Sequence, residues 1–485
     1  MQRPAVANRT AEPELPAPLW SAGVIALTIL AAALRLWRIG AWPFYGDEAT
    51  TVLASTESFS WADLRPLAFA FNHYVAVPLF GPTEFAFRLA PLLAGIAVVP
   101  LGALAMRRYY GERAGLITGL LLAVSPALLF HSQFGRYYMQ ALFFSGGLLY
   151  SLRRWSDTHR VAWLIAALLW FLLGWFTVQS TSFVLPGFAL WALCFPRASG
   201  LTDLLTWTRR HPVAAVVVVV AALGTAWVLF MRMRHASNDR LLSDTRYFSA
   251  PQLLLAFVSS VTLPVALAMA VGPLLALKDE TLETADRLFL PITAIGTLIT
   301  FAAAFPFLAV GPPHILSAGA ALFGLAGYSL ARIWRDSSPH WAGLAVALII
   351  VASTAREVAS HFVDGSRSDF RPAIAAVSAG RQSDAEPVFA TQHVVVDLYA
   401  PELRARELMA VPDSLAWLRD SLRTVPVWLI VAEHRRGPDV PEELFGVHER
   451  TPLCRQVFRH APTRLDYPVN AVRVYQCSPN GVSPQ

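Results

Sequence analysis

Long apolar runs recur through most of this chain, and they constrain its fold more than any other feature. Runs of roughly 20 mostly apolar residues, enough to cross the hydrocarbon core of a bilayer, recur between Leu19 and His340. Only 15% of the residues are charged, whereas soluble domains carry about 25%. Residues 356–485 lack such runs. The sequence therefore predicts a polytopic α-helical membrane protein with a soluble tail.

We expect about 11 transmembrane helices from the length and spacing of these runs. They are residues 19–37, 85–106, 114–130, 137–152, 161–178, 183–195, 213–231, 253–277, 288–305, 315–333 and 341–355. The transmembrane domain then covers residues 19–355, after a proline-containing cytoplasmic leader at residues 1–18 that we expect to be disordered. Ala31-Ala32-Ala33 imitates a signal-peptidase site, but the length of the first run favours an uncleaved anchor.

Arginines in the short loops predict the orientation in a cytoplasmic membrane. They cluster at positions 107–113, 153–160, 197–210 and 332–335, on one side of the predicted bundle. Because positive loops stay in the cytoplasm, the N-terminus is expected inside and the tail outside. The outer face then carries the loops 38–84, 131–136, 232–252 and 306–314. The first of these alternates apolar and polar residues, which favours helices lying in the membrane interface.

The tail, residues 356–485, has the pattern of a small α/β domain. We expect helices at 369–380 and 414–422, and strands at 387–390, 425–431, 455–460 and 471–477. It contains no glycine-rich phosphate loop, nucleophile elbow or histidine pair at metal spacing. Cys454 and Cys477 bracket two of the strands and could pair in an oxidising compartment, whereas Cys194 fits a small apolar position in a membrane helix.

The formal net charge is +6, mostly from arginine, which suits loops that face anionic lipid headgroups. No basic run interleaved with aromatic residues is present, so the composition does not favour nucleic-acid binding.

Chemistry-bearing residues collect on the predicted outer face. A carboxylate there can take a proton from an acceptor hydroxyl or amine, while cationic side chains stabilise a departing lipid phosphate. A polyprenyl phosphate would be such a leaving group, with its tail in an apolar groove. The residues concerned are Asp47, Glu48, Glu84, Arg136, Tyr137, Tyr138, Arg240, Asp244, Arg246 and His314.

Three segments resemble a known family. Leu34-Arg35-Leu36-Trp37-Arg38-Ile39-Gly40, followed by Phe44 and Gly46-Asp47-Glu48-Ala49, is similar to the first-loop Asp-Glu motif of the GT-C glycosyltransferases. The branch concerned holds protein O-mannosyltransferases and lipid A aminoarabinose transferases. Leu79-Phe80-Gly81-Pro82-Thr83-Glu84-Phe85-Ala86-Phe87-Arg88-Leu89 resembles the start of that branch's second span, and Gly135-Arg136-Tyr137-Tyr138-Met139 resembles its Arg-x-Tyr turn.

The resemblance implies an enzyme that moves a sugar from a polyprenyl-phosphate donor to a glycan, lipid or protein acceptor outside the membrane, generally with inversion. It makes Asp47 the candidate general base or acceptor-orienting carboxylate, supported by Glu48; if the enzyme uses Mg²⁺ or Mn²⁺, these two carboxylates are the expected ligands. Arg136, with Tyr137 and His314, is expected at the donor phosphate. Pro313-His314-Ile315 stands where relatives often have an Arg-Tyr pair, and Asn72-His73-Tyr74 where many have a proline pair before the tyrosine.

Simpler interpretations stay open at each position. Asp47 also fits as a helix cap, Arg136 as an arginine that reaches the membrane interface, and His314 as a residue at a helix start. His73 and Tyr74 are expected to contact substrate, together with Glu84, Tyr138, Arg240 and Arg246, although His73 and Tyr74 also fit as interface anchors. The alternative functions are a transporter or lipid flippase, disfavoured because the predicted spans hold almost no ionisable residues at mid-depth, and an inactive scaffold.

Overall fold

The computed structural model describes residues 16–63, 65–210, 257–258, 261–304, 312–336, 341–365, 367–408, 418, 420–422, 424–432, 454–460 and 471–478. The chain divides into two compact units. Unit 1 comprises Met1–Trp37, Phe59–Val75 and Arg88–Val358, and unit 2 comprises Arg38–Ser58, Ala76–Phe87 and Ala359–Gln485. The first part of the predicted outer loop thus belongs to the same unit as the tail.

The helices follow the predicted order, with ends that differ by a few residues in most cases. They are α1 Ala17–Leu36, α2 Asp47–Thr56, α3 Pro66–Phe71, α4 Val77–Phe80, α5 Glu84–Tyr110, α6 Glu112–Val124, α7 Pro126–Ser132, α8 Tyr138–Thr158, α9 Val161–Thr177, α10 Val184–Cys194, α11 Leu201–Arg210, α12 Leu263–Leu277, α13 Thr284–Arg287, α14 Phe289–Ala304, α15 Gly319–Asp336, α16 Trp341–Asp364, α17 Arg371–Gly380 and α18 His393–Tyr399. A π-helical turn, Asn72–Ala76, joins α3 to α4, and 3₁₀ turns span Gln179–Phe183, Pro312–Ala318 and Pro401–Leu403.

Unit 1 is a helical bundle around α15. In the most apolar part of the segment Pro313–Asp336, which contains α15, 94% of the residues are buried inside the protein. In α1 only 17% are buried, and side chains such as Ile25 and Ile29 are exposed. An apolar helix exposed in this way has to face lipid rather than water.

Within the described residues, five helices are long and apolar enough to span a membrane, or six if α6 and α7 form one bent span; shorter apolar helices such as α9 and α12 accompany them. The chain is therefore a multi-pass membrane protein. The expected total of about 11 spans stays a prediction, and the expected helix at 213–231 lies outside the described residues.

The expected span at 114–130 is broken in the structure. Helix α6 ends at Val124, α7 begins at Pro126, and the two axes differ by 56°. Proline has no N–H to donate to the carbonyl four residues earlier, and its ring clashes with that carbonyl, so a helix bends or breaks there. The break directs the chain into the turn that carries Arg136.

Unit 2 contains a mixed sheet built from the tail. Its described strands are β1 Val388–Ala390, β2 Arg406–Glu407, β3 Val427–Ala432, β4 Cys454–His460 and β5 Val472–Cys477, in the order β2-β1-β3-β5-β4. The pairs β1–β2 and β1–β3 are parallel, and β3–β5 and β4–β5 are antiparallel. Every residue of β1 and β3 is buried, as expected for apolar strands covered on both faces.

The tail agrees with its sequence pattern in most of its strands. Strand β4 starts at Cys454 and β5 ends at Cys477; the two cysteines lie opposite each other in the ladder and form a disulfide. Strand β2 and helix α18 were not expected, and the expected helix at 414–422 lies mostly outside the described residues. Helix α18 buries Val395 and Val396 in the core of the sheet.

Candidate active site

The carboxylate loop, residues 44–48, leads into α2 in unit 2. Gly46 adopts φ +49°, a left-handed conformation that favours glycine over any residue with a side chain. This places Gly46 at the N-cap of α2 and Asp47 at its first helical position. Asp47 therefore does not act as the side-chain cap of α2, and its carboxylate is exposed. Both acidic residues lie in the first turn, where the helix dipole favours negative charge.

Glu48 has different surroundings from its neighbour. Its side chain is completely buried, and Oε2 accepts the N–H of Tyr45 at 3.1 Å and lies 3.5 Å from Nη1 of Arg367, which is buried as well. Removing one partner of a buried ion pair typically costs about 3–5 kcal/mol, because the other charge is left without compensation. Glu48 therefore ties the carboxylate loop to Arg367, and its expected role in supporting Asp47 stays a prediction.

Glu84 is joined to the carboxylate loop through Tyr399. The Tyr399 hydroxyl accepts the N–H of Phe44 at 2.6 Å and donates to Oε1 of Glu84 at 2.9 Å. Burial raises the pKa of Tyr399 well above its usual range; the hydrogen bond from the Phe44 N–H opposes this rise, and the charge of Glu84 adds to it. Tyr399 therefore stays protonated at physiological pH and remains a donor to Glu84.

Trp42 anchors the chain just before the loop. Its buried ring lies beside Gly365, where a Cβ would approach Trp42 to 2.6 Å, and Gly365 has φ +68°. The guanidinium of Arg38 lies 4.3 Å from the centroid of the Trp42 ring and donates to the carbonyl of Phe362 at 3.2 Å. Residues 38–48 are thus fixed by side chains and backbone of the tail.

Unit 1 holds a second group, which we call the arginine–tyrosine cluster: Arg65, Arg136 and Tyr137. Both guanidinium carbons lie 4.7 Å from the centroid of the Tyr137 ring. Both arginines also donate to its hydroxyl, Arg136 at 3.1 Å, and Arg65 donates to Oε1 of Gln179 at 2.9 Å. Two cations that share one phenol concentrate positive charge, as binding of an anionic group requires.

Tyr138 and His314 lie close to each other in the same unit. Their ring centroids are 5.3 Å apart in an edge-to-face arrangement, and both side chains are buried. Tyr138 is the first residue of α8, and His314 belongs to the 3₁₀ turn Pro312–Ala318. The structure therefore brings together two residues that are 176 positions apart in the sequence.

His73 and Tyr74 form part of an aromatic group. The His73 ring stacks on Phe59 with centroids 4.5 Å apart, and the Tyr74 ring stacks on Trp61 at 6.0 Å. Tyr74 and Trp61 are 55% and 59% exposed. This exposure fits both interpretations that the sequence left open, a substrate contact and an interface anchor.

The remaining expectations concern metal and substrate. Within the described residues no group of three or more histidine, cysteine, aspartate or glutamate side chains is arranged to hold a metal ion. Glu48 is directed toward Arg367 and the Tyr45 amide, so the expected Asp47–Glu48 ligand pair does not fit a metal, and no step is derived through one. The expected substrate contacts Arg240 and Arg246 lie outside the described residues.

Four residues of these groups were missed in the sequence. Arg65 precedes Pro66 at the start of an apolar helix, and this placement of a cation in an outer loop was a usable signal. Tyr399, Arg367 and Gln392, whose Oε1 accepts the N–H of Gly46, lie in the tail, more than 300 positions from the loop that they contact. Only the folded structure reveals them, since the tail carries no recognisable motif.

Comparisons with known proteins identify the fold. No protein-family model and no curated protein matches the sequence. Among solved structures, ArnT from Cupriavidus metallidurans bound to undecaprenyl phosphate superposes with a TM-score of 0.54 at 16% identity, covering 97% of this chain and 100% of the other. Its apo state gives 0.52 at 17% identity, covering 96% and 99%. AglB, an oligosaccharyltransferase from Archaeoglobus fulgidus in complex with an inhibitory peptide and a dolichol-phosphate, gives 0.56 at 11% identity, covering 85% and 69%.

These structures are GT-C membrane glycosyltransferases, and this chain has their fold. The resemblance drawn from the Asp-Glu motif and the two later segments is therefore confirmed at the level of the fold.

Proposed function

We propose that the protein is an integral membrane glycosyltransferase that moves a sugar from a polyprenyl-phosphate donor to an acceptor on the outer face of the cytoplasmic membrane. The observation that carries the proposal is an exposed first-loop carboxylate, Asp47, on a fold shared with enzymes solved with undecaprenyl phosphate and dolichol-phosphate. The likeness concerns the fold, and the proposed reaction rests on this chain's own residues.

In the proposed reaction, the acceptor hydroxyl or amine attacks the anomeric carbon of the donor sugar. The bond from that carbon to the phosphate oxygen breaks, and polyprenyl phosphate leaves with its electron pair. Asp47 takes the acceptor proton as general base. Attack opposite to the leaving group inverts the anomeric configuration.

Arg65 and Arg136 serve the donor side of the proposed reaction. Guanidinium groups form strong charge-assisted hydrogen bonds with phosphate and stabilise the charge that grows as the bond breaks. Tyr137, held between them, keeps both cations at one place. The adjacent pair Tyr138 and His314 is assigned to the same donor region.

Transfer from labelled donors tests the function. Proteoliposomes with the purified protein receive undecaprenyl-phosphate-linked hexoses and pentoses plus an envelope extract as acceptor, and released undecaprenyl phosphate is measured. We expect turnover by the wild type with at least one donor, and a fall of about 10²–10⁴-fold for Asp47→Asn, the range that a general base contributes. NMR of the product reports its anomeric configuration.

Asp63→Asn is the matched control, because Asp63 is another carboxylate of the same predicted outer loop, and it should leave turnover unchanged. Equal turnover by wild type and Asp47→Asn would remove Asp47 from the chemistry. Absence of turnover with every donor would contradict the proposed reaction.

A further inference from the structure

Helix α18 of the tail holds the carboxylate loop at two points. Gln392, the N-cap residue of α18, accepts the N–H of Gly46 on Oε1 at 3.2 Å. Tyr399, its last residue, accepts the N–H of Phe44 at 2.6 Å. We propose that Gln392 and Tyr399 are positioning residues for the Asp47 carboxylate and that α18 is the element through which the tail takes part in the reaction. The inference rests on the proposed function.

Each of the three amides before Asp47 has its own side-chain acceptor. Phe44 donates to Tyr399, Tyr45 to Glu48 and Gly46 to Gln392. Fixing three successive amides restricts the backbone dihedrals of the loop, including the left-handed conformation at Gly46. Since Asp47 is the next residue, the direction in which its carboxylate leaves the chain is set by these hydrogen bonds.

Helix α18 is a rigid support for the residues that hold the carboxylate loop. Val395 and Val396 are buried in the core of the sheet, which anchors the middle of the helix. Gln392 and Tyr399 are seven positions apart, close to two turns of helix, so their side chains leave α18 from one face. The ring of Phe44 packs against that of Tyr399 with centroids 6.1 Å apart, which adds a contact between apolar groups to the hydrogen bond.

Tyr399 also connects the loop to Glu84. Its hydroxyl donates to Glu84 while it accepts from Phe44, so a single phenol oxygen fixes both a loop amide and the first residue of α5. Loss of this hydroxyl therefore releases two groups at once, whereas loss of the Gln392 amide releases one. This difference predicts a larger effect for Tyr399→Phe than for Gln392→Ala.

The test separates positioning from binding in the full-length protein. For Gln392→Ala and Tyr399→Phe we expect kcat for sugar transfer to fall about 10–100-fold, the effect of misplacing a reacting group by about 1 Å, with little change in the KM for the donor. The Phe44 amide loses its acceptor in Tyr399→Phe and the Gly46 amide loses its acceptor in Gln392→Ala, so peptides that cover residues 42–52 should exchange hydrogen for deuterium faster than in the wild type.

Two further variants make the result specific. Gln392→Glu keeps an acceptor oxygen at the same reach and should restore most of kcat and the slow exchange. His393→Ala alters the first residue of the same helix, a side chain without a hydrogen bond within the described part of the chain, and should match the wild type.

Unchanged kcat in both Gln392→Ala and Tyr399→Phe would overturn the inference, whether or not exchange accelerates. A rise in donor KM with constant kcat would overturn it as well, because that pattern belongs to a binding role. If the wild type transfers no sugar, the proposed function fails, and the exchange rates still decide whether α18 holds the loop: unchanged exchange in both variants would show that it does not.

Discussion

Asp47 and Glu48 are adjacent in the first turn of α2, yet their carboxylates have different surroundings. Successive residues of a helix point about 100° apart, so Asp47 and Glu48 cannot serve one ligand in the same way. Asp47 is exposed, whereas Glu48 is buried against Arg367 and the Tyr45 amide. The two carboxylates therefore have different surroundings, a difference that adjacency in the sequence does not reveal, and the proposed reaction uses the exposed one.

The arginine–tyrosine cluster makes a prediction at the same scale. We expect Arg65→Ala and Arg136→Ala each to raise the KM for the polyprenyl-phosphate donor about 10-fold or more, the loss of one charge-assisted phosphate contact of about 1.5–3 kcal/mol. Arg65→Lys should recover part of this, since lysine keeps the charge but loses the planar fork. Steady-state kinetics at varied donor concentration measures the effect.

Arg160→Ala is a matched control, an exposed arginine in a loop of the opposite predicted face. A donor KM that stays at the wild-type value in both Arg65→Ala and Arg136→Ala would remove the cluster from the donor site.

At the scale of elements, the break between α6 and α7 is compensated by a distant arginine. Pro126 cannot donate to the carbonyl of Leu122, and the fully buried Arg35 of α1 donates to it at 2.8 Å and to the carbonyl of Ala123 at 2.8 Å. Gln133 in turn donates to the carbonyls of Arg35 and Trp37 at the end of α1, both at 2.9 Å. The two chain segments therefore cap each other.

Because Arg35 donates to two carbonyls at the end of α6, we expect Arg35→Met to lower the free energy of unfolding strongly. Two buried carbonyls would lose their donors, and each unpaired group costs about 1–3 kcal/mol, so we expect a total of about 2–6 kcal/mol. Thermal unfolding in detergent should show a lower Tm. The control Thr28→Val removes a hydroxyl of α1 that, among the described residues, bonds to the carbonyl of Val24 in its own helix and to no other group, and it should change Tm little. Equal Tm values for the two variants would refute the capping role.

At the scale of the whole molecule, the sequence predicted what depends on local pattern. Apolar runs located most of the membrane helices, although α8 and α16 run 6 and 9 residues past their expected ends, and short runs between turn signals located β3, β4 and β5. The break at Pro126 was missed because the apolar run continues across the proline, and Arg35, 87 and 88 positions away, satisfies the carbonyls near the break. Helix α18 was missed because its short apolar run resembles a strand. The contacts of Glu48, Phe44 and Gly46 depend on tail residues that no local rule connects to the loop.

The orientation of the molecule in the membrane gives a further prediction, which rests on the arginine-rich loops. We expect Ser58, before Phe59 in the first outer loop, to face the outside, and Glu280, between α12 and α13, to face the cytoplasm. Both side chains are exposed. In a Cys194→Ala background, which removes the free, exposed cysteine and leaves the Cys454–Cys477 disulfide closed, each position is replaced by cysteine.

A charged maleimide that cannot cross the bilayer is then added to sealed membrane vesicles. The maleimide reaches only the face that the vesicle turns outward. Ser58→Cys should therefore be labelled in right-side-out vesicles and Glu280→Cys in inverted ones. The reverse pattern would place the carboxylate loop and the tail in the cytoplasm, where an acceptor outside the membrane could not reach Asp47. Orientation is thus the one property on which the proposed donor, acceptor and general base all depend, and it can be measured without knowing the sugar.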